Sequence, residues 1–235
     1  IIINCAAYSD VDKCEVNRDH AHDVNVSGVK NLIKYSRTTA LFIYISSDYV
    51  FNGESGPYIE TDQTFPINYY GKTKLEAENF IRGSRRPYLI LRPNVIYSEN
   101  IFHKSNFFGW VYKSLLNNNS ISVVTDQVSN PTFAPHLSDA IFKCIIFNCQ
   151  GIYHFGSEDY LSRYDFACLI ADTFKLNKEL IKPIDTEYLM DNIDSYMARR
   201  PLNSGLKTNK IENEMDLSIY STQYNLNLLK KYLHI

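Results

Sequence analysis

Five short, strongly apolar runs, each closed by small or polar residues, constrain this chain more than any other feature. Ile1–Ile3 leads into Asn4-Cys5-Ala6-Ala7-Tyr8, and Leu41–Ile45 ends at Ser46-Ser47-Asp48. Tyr88–Leu91 ends at Arg92-Pro93-Asn94, Ile121–Val124 at Thr125-Asp126-Gln127, and Ile152–Phe155 at Gly156-Ser157. Runs of this length suit strands covered on both faces by helices. Between them lie helical patterns, and the alternation predicts an α/β fold built on a Rossmann-type, doubly wound parallel sheet. Ligands of such sheets sit beyond the carboxyl ends of the strands, so the chemistry is expected at these endings.

The helical segments have readable caps and faces. Leu137, Ala140, Ile141, Cys144 and Ile145 form an amphipathic stripe after Pro135. Ser162-Arg163-Tyr164-Asp165 reads as a capping box before an apolar face of Phe166, Leu169, Ile170 and Phe174. Residues 23–36 carry Val26, Val29, Leu32 and Ile33, and a further helix is expected from Asn68 through Ile81. Residues 1–97, with 135–156 returning to them, are assigned to a partial nucleotide-binding domain. Residues 98–134 and 157–235 are assigned to a small substrate-binding lobe.

Composition narrows the function classes. The 235 residues are 45% apolar, enough for a sizeable core. A net charge of −2 offers no basic surplus for a nucleic acid or an anionic membrane. No apolar run approaches the roughly 18 residues needed to span a bilayer. Five scattered cysteines without CxxC read as reduced thiols of a cytoplasmic protein. Six histidines without HxxxH or HExxH disfavour a metalloenzyme.

Tyr70-Gly71-Lys72-Thr73-Lys74 places a phenol and an ammonium on one helix face. A nearby cation favours the phenolate, so such a pair can exchange a proton with a substrate oxygen. Many helices contain the spacing by chance; its context gives it weight. Ser47, at the tip of an apolar strand, can bond both the Tyr70 oxygen and a substrate oxygen, although a turn residue satisfying its own backbone would look the same. The small residues after Asn4 would let a flat cofactor approach the backbone; tight helix–strand packing is the other use of them.

Together these pieces resemble the extended short-chain dehydrogenase/reductase superfamily, most closely the dTDP-4-dehydrorhamnose reductase family. The motifs run in order: Asn4 to Tyr8 with Val11 to Glu15, Asn25, Ser46 to Gly53, Tyr70 to Lys74, Arg92 to Tyr97, Asp126-Gln127 with Pro131-Thr132, and Arg200 to Ser204. The resemblance implies reduction of the 4-keto group of a nucleotide-linked deoxysugar by NADPH or NADH. It implies that Tyr70 is the proton donor, that Lys74 holds the nicotinamide ribose and lowers the Tyr70 pKa, and that Ser47 orients the same oxygen. Cys5, Ala6, Ala7 and Tyr8 would line the cofactor, with Asn25 supporting the site. Asp48, Tyr49, Val95, Asn106, Gln127 and Arg200 would face the nucleotide sugar; a guanidinium suits a diphosphate because its fork binds oxygens bidentately. A homodimer is compatible with the resemblance.

Three departures from the family pattern matter. The glycine-rich turn that holds the cofactor pyrophosphate is absent. With Ile1 at the start, roughly 60 residues, about two βα units, are expected ahead of it, and the chain as written is expected to bind nicotinamide cofactor poorly. Val95 stands where the family often has tryptophan, and Tyr49 follows Asp48 where the superfamily's dehydratases have glutamate. The second of these argues for reduction without dehydration. The regulatory beta subunit of methionine adenosyltransferase resembles the same family, so a non-catalytic cofactor-binding partner is the alternative.

Overall fold

The computed structural model describes residues 1–100, 106–192 and 197–233. Parts of the segments assigned to the second lobe (101–105, 193–196 and 234–235) therefore lie outside the described residues. Four of the five apolar runs form one parallel sheet, in the order Ile2–Asn4, Phe42–Ile45, Tyr88–Pro93, Gly151–Phe155. The fifth, Ile121–Val124, pairs in parallel with Ile181–Ile184 as a separate two-stranded sheet.

Alternation along the strands sorts the core onto two faces. Phe42, Tyr44 and Ile90 pack with Val29, Ala77 and Ile81 on one side. Ile43, Leu89 and Leu91 pack with Leu137, Ala140, Cys144, Ile211 and Met215 on the other. The first face is covered by the helix Tyr69–Gly83 and the second by Ala134–Ile146 and Asn209–Met215. Ile3 and Leu32 join neither face. Ile3 is 47% exposed because its strand lies at the sheet edge, and Leu32 is 43% exposed because the helix presents Val29 and Ile33 to the sheet instead. The segment expected as one helix from residue 23 opens with a π-helical turn, Asp23–Ser27, before the α-helix Gly28–Tyr35.

A second core gathers Tyr97, Phe108, Val111, Val123, Phe166, Ile170, Phe174 and Leu226. Tyr97 lies on the short strand Ile96–Tyr97 and Val123 on Ile121–Val124; the others belong to the helices Phe107–Leu116, Arg163–Phe174 and Thr222–Tyr232. The Arg163–Phe174 helix begins where its capping signal placed it: Ser162 Oγ accepts from the Asp165 amide at 2.9 Å. Among the described residues no helix is long and apolar enough to cross a membrane.

Candidate active site

A cavity of about 500 Å³ opens at the carboxyl ends of the sheet strands. Its floor is Ile45 to Asp48 and Pro93, one wall is Cys5, Ala7 and Ser9, and Val95, Asn106 and Arg163 add to its lining. Tyr70 and Lys74 enter from the helix Tyr69–Gly83.

That helix is fixed at its first turn. Asn68 Oδ1 caps it by accepting from the Gly71 amide at 2.8 Å, and Asn68 Nδ2 donates to the Arg199 carbonyl at 2.9 Å. Gly71 is required here because a Cβ would lie 2.1 Å from the Tyr49 carbonyl oxygen. The close approach brings the Tyr49 and Tyr70 rings edge to face, with centroids 5.9 Å apart. Burial raises the Tyr70 pKa above that of a free phenol, and the Asp48 charge adds to it; the nearby Ser47 hydroxyl pulls the other way. The net displacement is opposite to the lowering expected from Lys74.

Lys74 is 2% exposed. Its Nζ donates to the Ile45 carbonyl at 2.6 Å and lies 4.3 Å from the centroid of the Tyr44 ring. Burial drops its pKa to about 7, with the Glu78 carboxylate opposing the fall. Glu78, one turn further along the helix, forms a buried pair with Arg92 at 2.7 Å and accepts from Ser46 Oγ at 2.5 Å. Sheet and helix are thus tied together directly beneath the Tyr70–Lys74 face.

The strand tip after Ile45 is equally constrained. Ser47 Oγ donates to Asp48 Oδ1 at 2.9 Å and accepts from the Tyr49 amide at 3.2 Å. Ser204 Oγ donates to Asp48 Oδ2 at 2.6 Å. Burial pushes the Asp48 carboxyl up to about 6 against the pull of Ser204, Ser47 and Arg163.

Asn25, 1% exposed, holds the Cys5–Tyr8 loop to the Tyr70 helix. Its Oδ1 accepts from the Tyr8 amide at 2.7 Å, and Nδ2 donates to the Tyr8 carbonyl and to Thr73 Oγ1 at 3.1 and 3.0 Å. Both amide protons go to protein, so Asn25 acts by shaping the loop. Val95 adopts a left-handed backbone with φ 42° at the cavity wall, a conformation costing a β-branched residue about 1–3 kcal/mol.

A second opening of about 290 Å³ shares Tyr49, Asn106 and Arg163 with the first and adds Phe107, Trp110, Gln127 and Arg200. Arg200 is anchored by both oxygens of Asp12, at 2.5 and 2.7 Å, and Gln127 Nε2 donates to Thr186 Oγ1 at 2.9 Å. Burial raises the Tyr49 pKa, while the Arg163 and Arg200 guanidinium groups oppose the rise. Asn106 Nδ2 donates to the Ser98 and Asn100 carbonyls, whereas its buried Oδ1 has no partner among the described residues. The structure therefore draws Cys5, Ala7, Ser47, Asp48, Tyr49, Tyr70, Lys74, Val95 and Asn106 around the main cavity and puts Gln127 and Arg200 at its extension. Sequence reasoning missed Arg163, Pro93 and Ser204. Arg163 was visible only as the second residue of a capping box, and nothing in that pattern aims a guanidinium at a strand tip 115 positions away.

A parallel sheet carrying a Ser, Tyr and Lys constellation at its carboxyl edge defines an extended short-chain dehydrogenase/reductase-type protein. Residues 1–234 match the model of the RmlD substrate binding domain, and the chain belongs to that family. It is 32% identical over 240 residues to the dTDP-4-dehydrorhamnose reductase of Aggregatibacter actinomycetemcomitans, covering 99% of this chain and 81% of that protein. It is also 32% identical over 222 residues to methionine adenosyltransferase 2 subunit beta of Rattus norvegicus, covering 90% of this chain and 64% of that protein. Among solved structures, the dTDP-4-dehydrorhamnose reductase of Bacillus anthracis in complex with NADP superposes with a TM-score of 0.89 at 30% identity. That match covers 98% of this chain and 80% of the other.

Proposed function

We propose that the protein reduces the 4-keto group of a nucleotide-linked deoxysugar, with a reduced nicotinamide cofactor, NADPH or NADH, as hydride source and Tyr70 as proton donor. One observation carries this reading: Ser47, Tyr70 and Lys74 line a single cavity at the carboxyl ends of the strands. The cavity fits the nicotinamide half of such a cofactor. The side chains of Cys5 and Ala7 are too small to block approach to the loop backbone, and Lys74, one helical turn from Tyr70, would hold the ribose hydroxyls. When bound, the cofactor supplies the hydride. Ser47 and Tyr70 hold the substrate oxygen, and Tyr70 gives it a proton.

The extension of the cavity supports a nucleoside diphosphate as the handle of the sugar. Arg163 and Arg200 are suited to phosphate oxygens, and Phe107 and Trp110 offer aromatic faces beside them. Asn106 Oδ1, without a partner among the described residues, offers an acceptor to a ligand hydroxyl or amide. Tyr49 stands after Asp48 where water elimination would use a second carboxylate, which favours reduction alone. The reductase reading is preferred to a regulatory subunit because the match to the Aggregatibacter reductase runs over 99% of this chain and that to the rat subunit over 90%. Five free cysteines support a reducing, cytoplasmic setting.

Incubation of the full-length protein with a nucleotide-linked 4-keto-deoxysugar and cofactor deuterated at the transferable position tests the reading. Deuterium at C4 of the product alcohol is the expected result; recovery of unreduced ketone would contradict it.

A further inference from the structure

Ser47 carries one proton and has two claimants for it. One is Oδ1 of Asp48, 2.9 Å away. The other is the Tyr70 oxygen, which lines the same cavity and whose pKa Ser47 pulls down. A hydroxyl cannot donate to both at once, and one Ser47 lone pair is already taken by the Tyr49 amide. Asp48 is itself buried, 3% exposed, and its second oxygen is held by Ser204 at 2.6 Å. Its carboxyl is therefore fixed in place and can exchange roles with Ser47 only by gaining or losing a proton.

We propose that protonation of Asp48 decides which way the Ser47 hydroxyl points. With Asp48 ionised, Ser47 donates to it, and Tyr70 faces only an acceptor. With Asp48 protonated, the acid donates to Ser47 Oγ, and the Ser47 proton turns into the cavity, toward Tyr70 and the substrate oxygen. Asp48 is then a positioning residue that acts through Ser47. The geometry stands by itself, whereas the consequence for turnover rests on the reductase reading. In that reading hydride adds to the carbonyl carbon, the Tyr70 proton passes to the oxygen, and a phenolate remains. Ser47 stabilises that phenolate only when Asp48 is the acid.

The charged and titratable groups facing Asp48 are Arg163, Tyr49 and Tyr70. Arg163 favours the carboxylate, burial opposes it, and the balance lies near pH 6. The switch therefore falls where a modest change in pH moves it.

Tyrosine labelled with ¹³C at Cζ in the full chain, with Tyr70→Phe to assign the signal, reads the hydroxyl directly. Between about pH 4 and about pH 8, the range in which carboxyls shifted by burial titrate, the Tyr70 signal should move with a midpoint near pH 6. The step should vanish in Asp48→Asn and lose most of its amplitude in Ser47→Ala. A Tyr70 signal that does not move overturns the proposal. So does a step of equal size in Ser47→Ala, which would mean that the Asp48 charge acts through space; this arm holds even if the asparagine variant does not fold. With substrate, reduction by the wild type should fall at least about tenfold through the same midpoint, the scale of losing one donor at the reacting oxygen. In Asp48→Asn the rate should be independent of pH over that range. Absence of turnover in the wild type would contradict the reductase reading and leave the carbon signal to decide the switch.

Discussion

Lys74 Nζ donates to the carbonyl oxygen of Ile45 at 2.6 Å, so the ammonium that follows Tyr70 on its helix is held by the backbone of the strand leading to Ser47. Helix and strand tip are registered to one another by this contact. Burial moves the Lys74 pKa from 10.5 to about 7. Between those values the unfolded chain binds a proton that the folded chain does not. The contribution of this group to stability therefore rises as pH climbs from 7 toward 10.5, and below pH 7 the cost of burying the cation is complete. The shift corresponds to about 5 kcal/mol over the window. Urea unfolding of Lys74→Met should lack this rise. Equal pH slopes in the variant and the wild type would contradict it.

Gly71→Ala sets two effects against each other. Alanine favours a helix over glycine by about 1 kcal/mol. Its Cβ would lie 2.1 Å from the Tyr49 carbonyl oxygen, a backbone atom that cannot swing aside. Overpacking of this kind costs about 1–3 kcal/mol. The variant should therefore be less stable, with Tyr70 displaced and turnover reduced. A higher midpoint in thermal unfolding would show that the helix can move away from Tyr49 without cost.

Asn25→Ala removes three hydrogen bonds, one buried and two partly buried, and leaves the Tyr8 amide without its partner. A buried donor so stranded costs about 1–3 kcal/mol. Denaturant unfolding should show a loss of that order or larger, and cofactor affinity should fall because the Cys5–Tyr8 loop is no longer held. Unchanged affinity would disconnect the loop from the cofactor.

Arg163→Ala should raise KM for the nucleotide sugar more than it lowers kcat. Hydrogen bonds to charged groups contribute about 1.5–3 kcal/mol, which corresponds to roughly tenfold or more in KM. Steady-state kinetics with the sugar varied at saturating cofactor would check it. A change confined to kcat would move Arg163 from the handle of the substrate to its reacting end.

Much of this arrangement is local and therefore visible in sequence. The run Phe42–Ile45 alternates between two apolar faces, and Asn68 caps a helix by accepting from the amide three residues on. The Tyr70–Lys74 spacing needs only helix geometry. What was not legible depends on contacts between distant positions. Ser204 reaches Asp48 across 156 residues, and Asp12 anchors Arg200 across 188. Asp48 was expected to face the sugar, but its carboxyl is engaged by two serines. The upward displacement of Tyr70 likewise follows from burial and from Asp48, neither of which a Tyr–Lys spacing records.

Steady-state reduction of a nucleotide-linked 4-keto-deoxysugar by Tyr70→Phe, beside the wild type, tests the central claim most directly. Loss of a general acid lowers turnover by about 10²–10⁴-fold, and the account predicts that loss with cofactor affinity unchanged. Turnover at the wild-type level would contradict it.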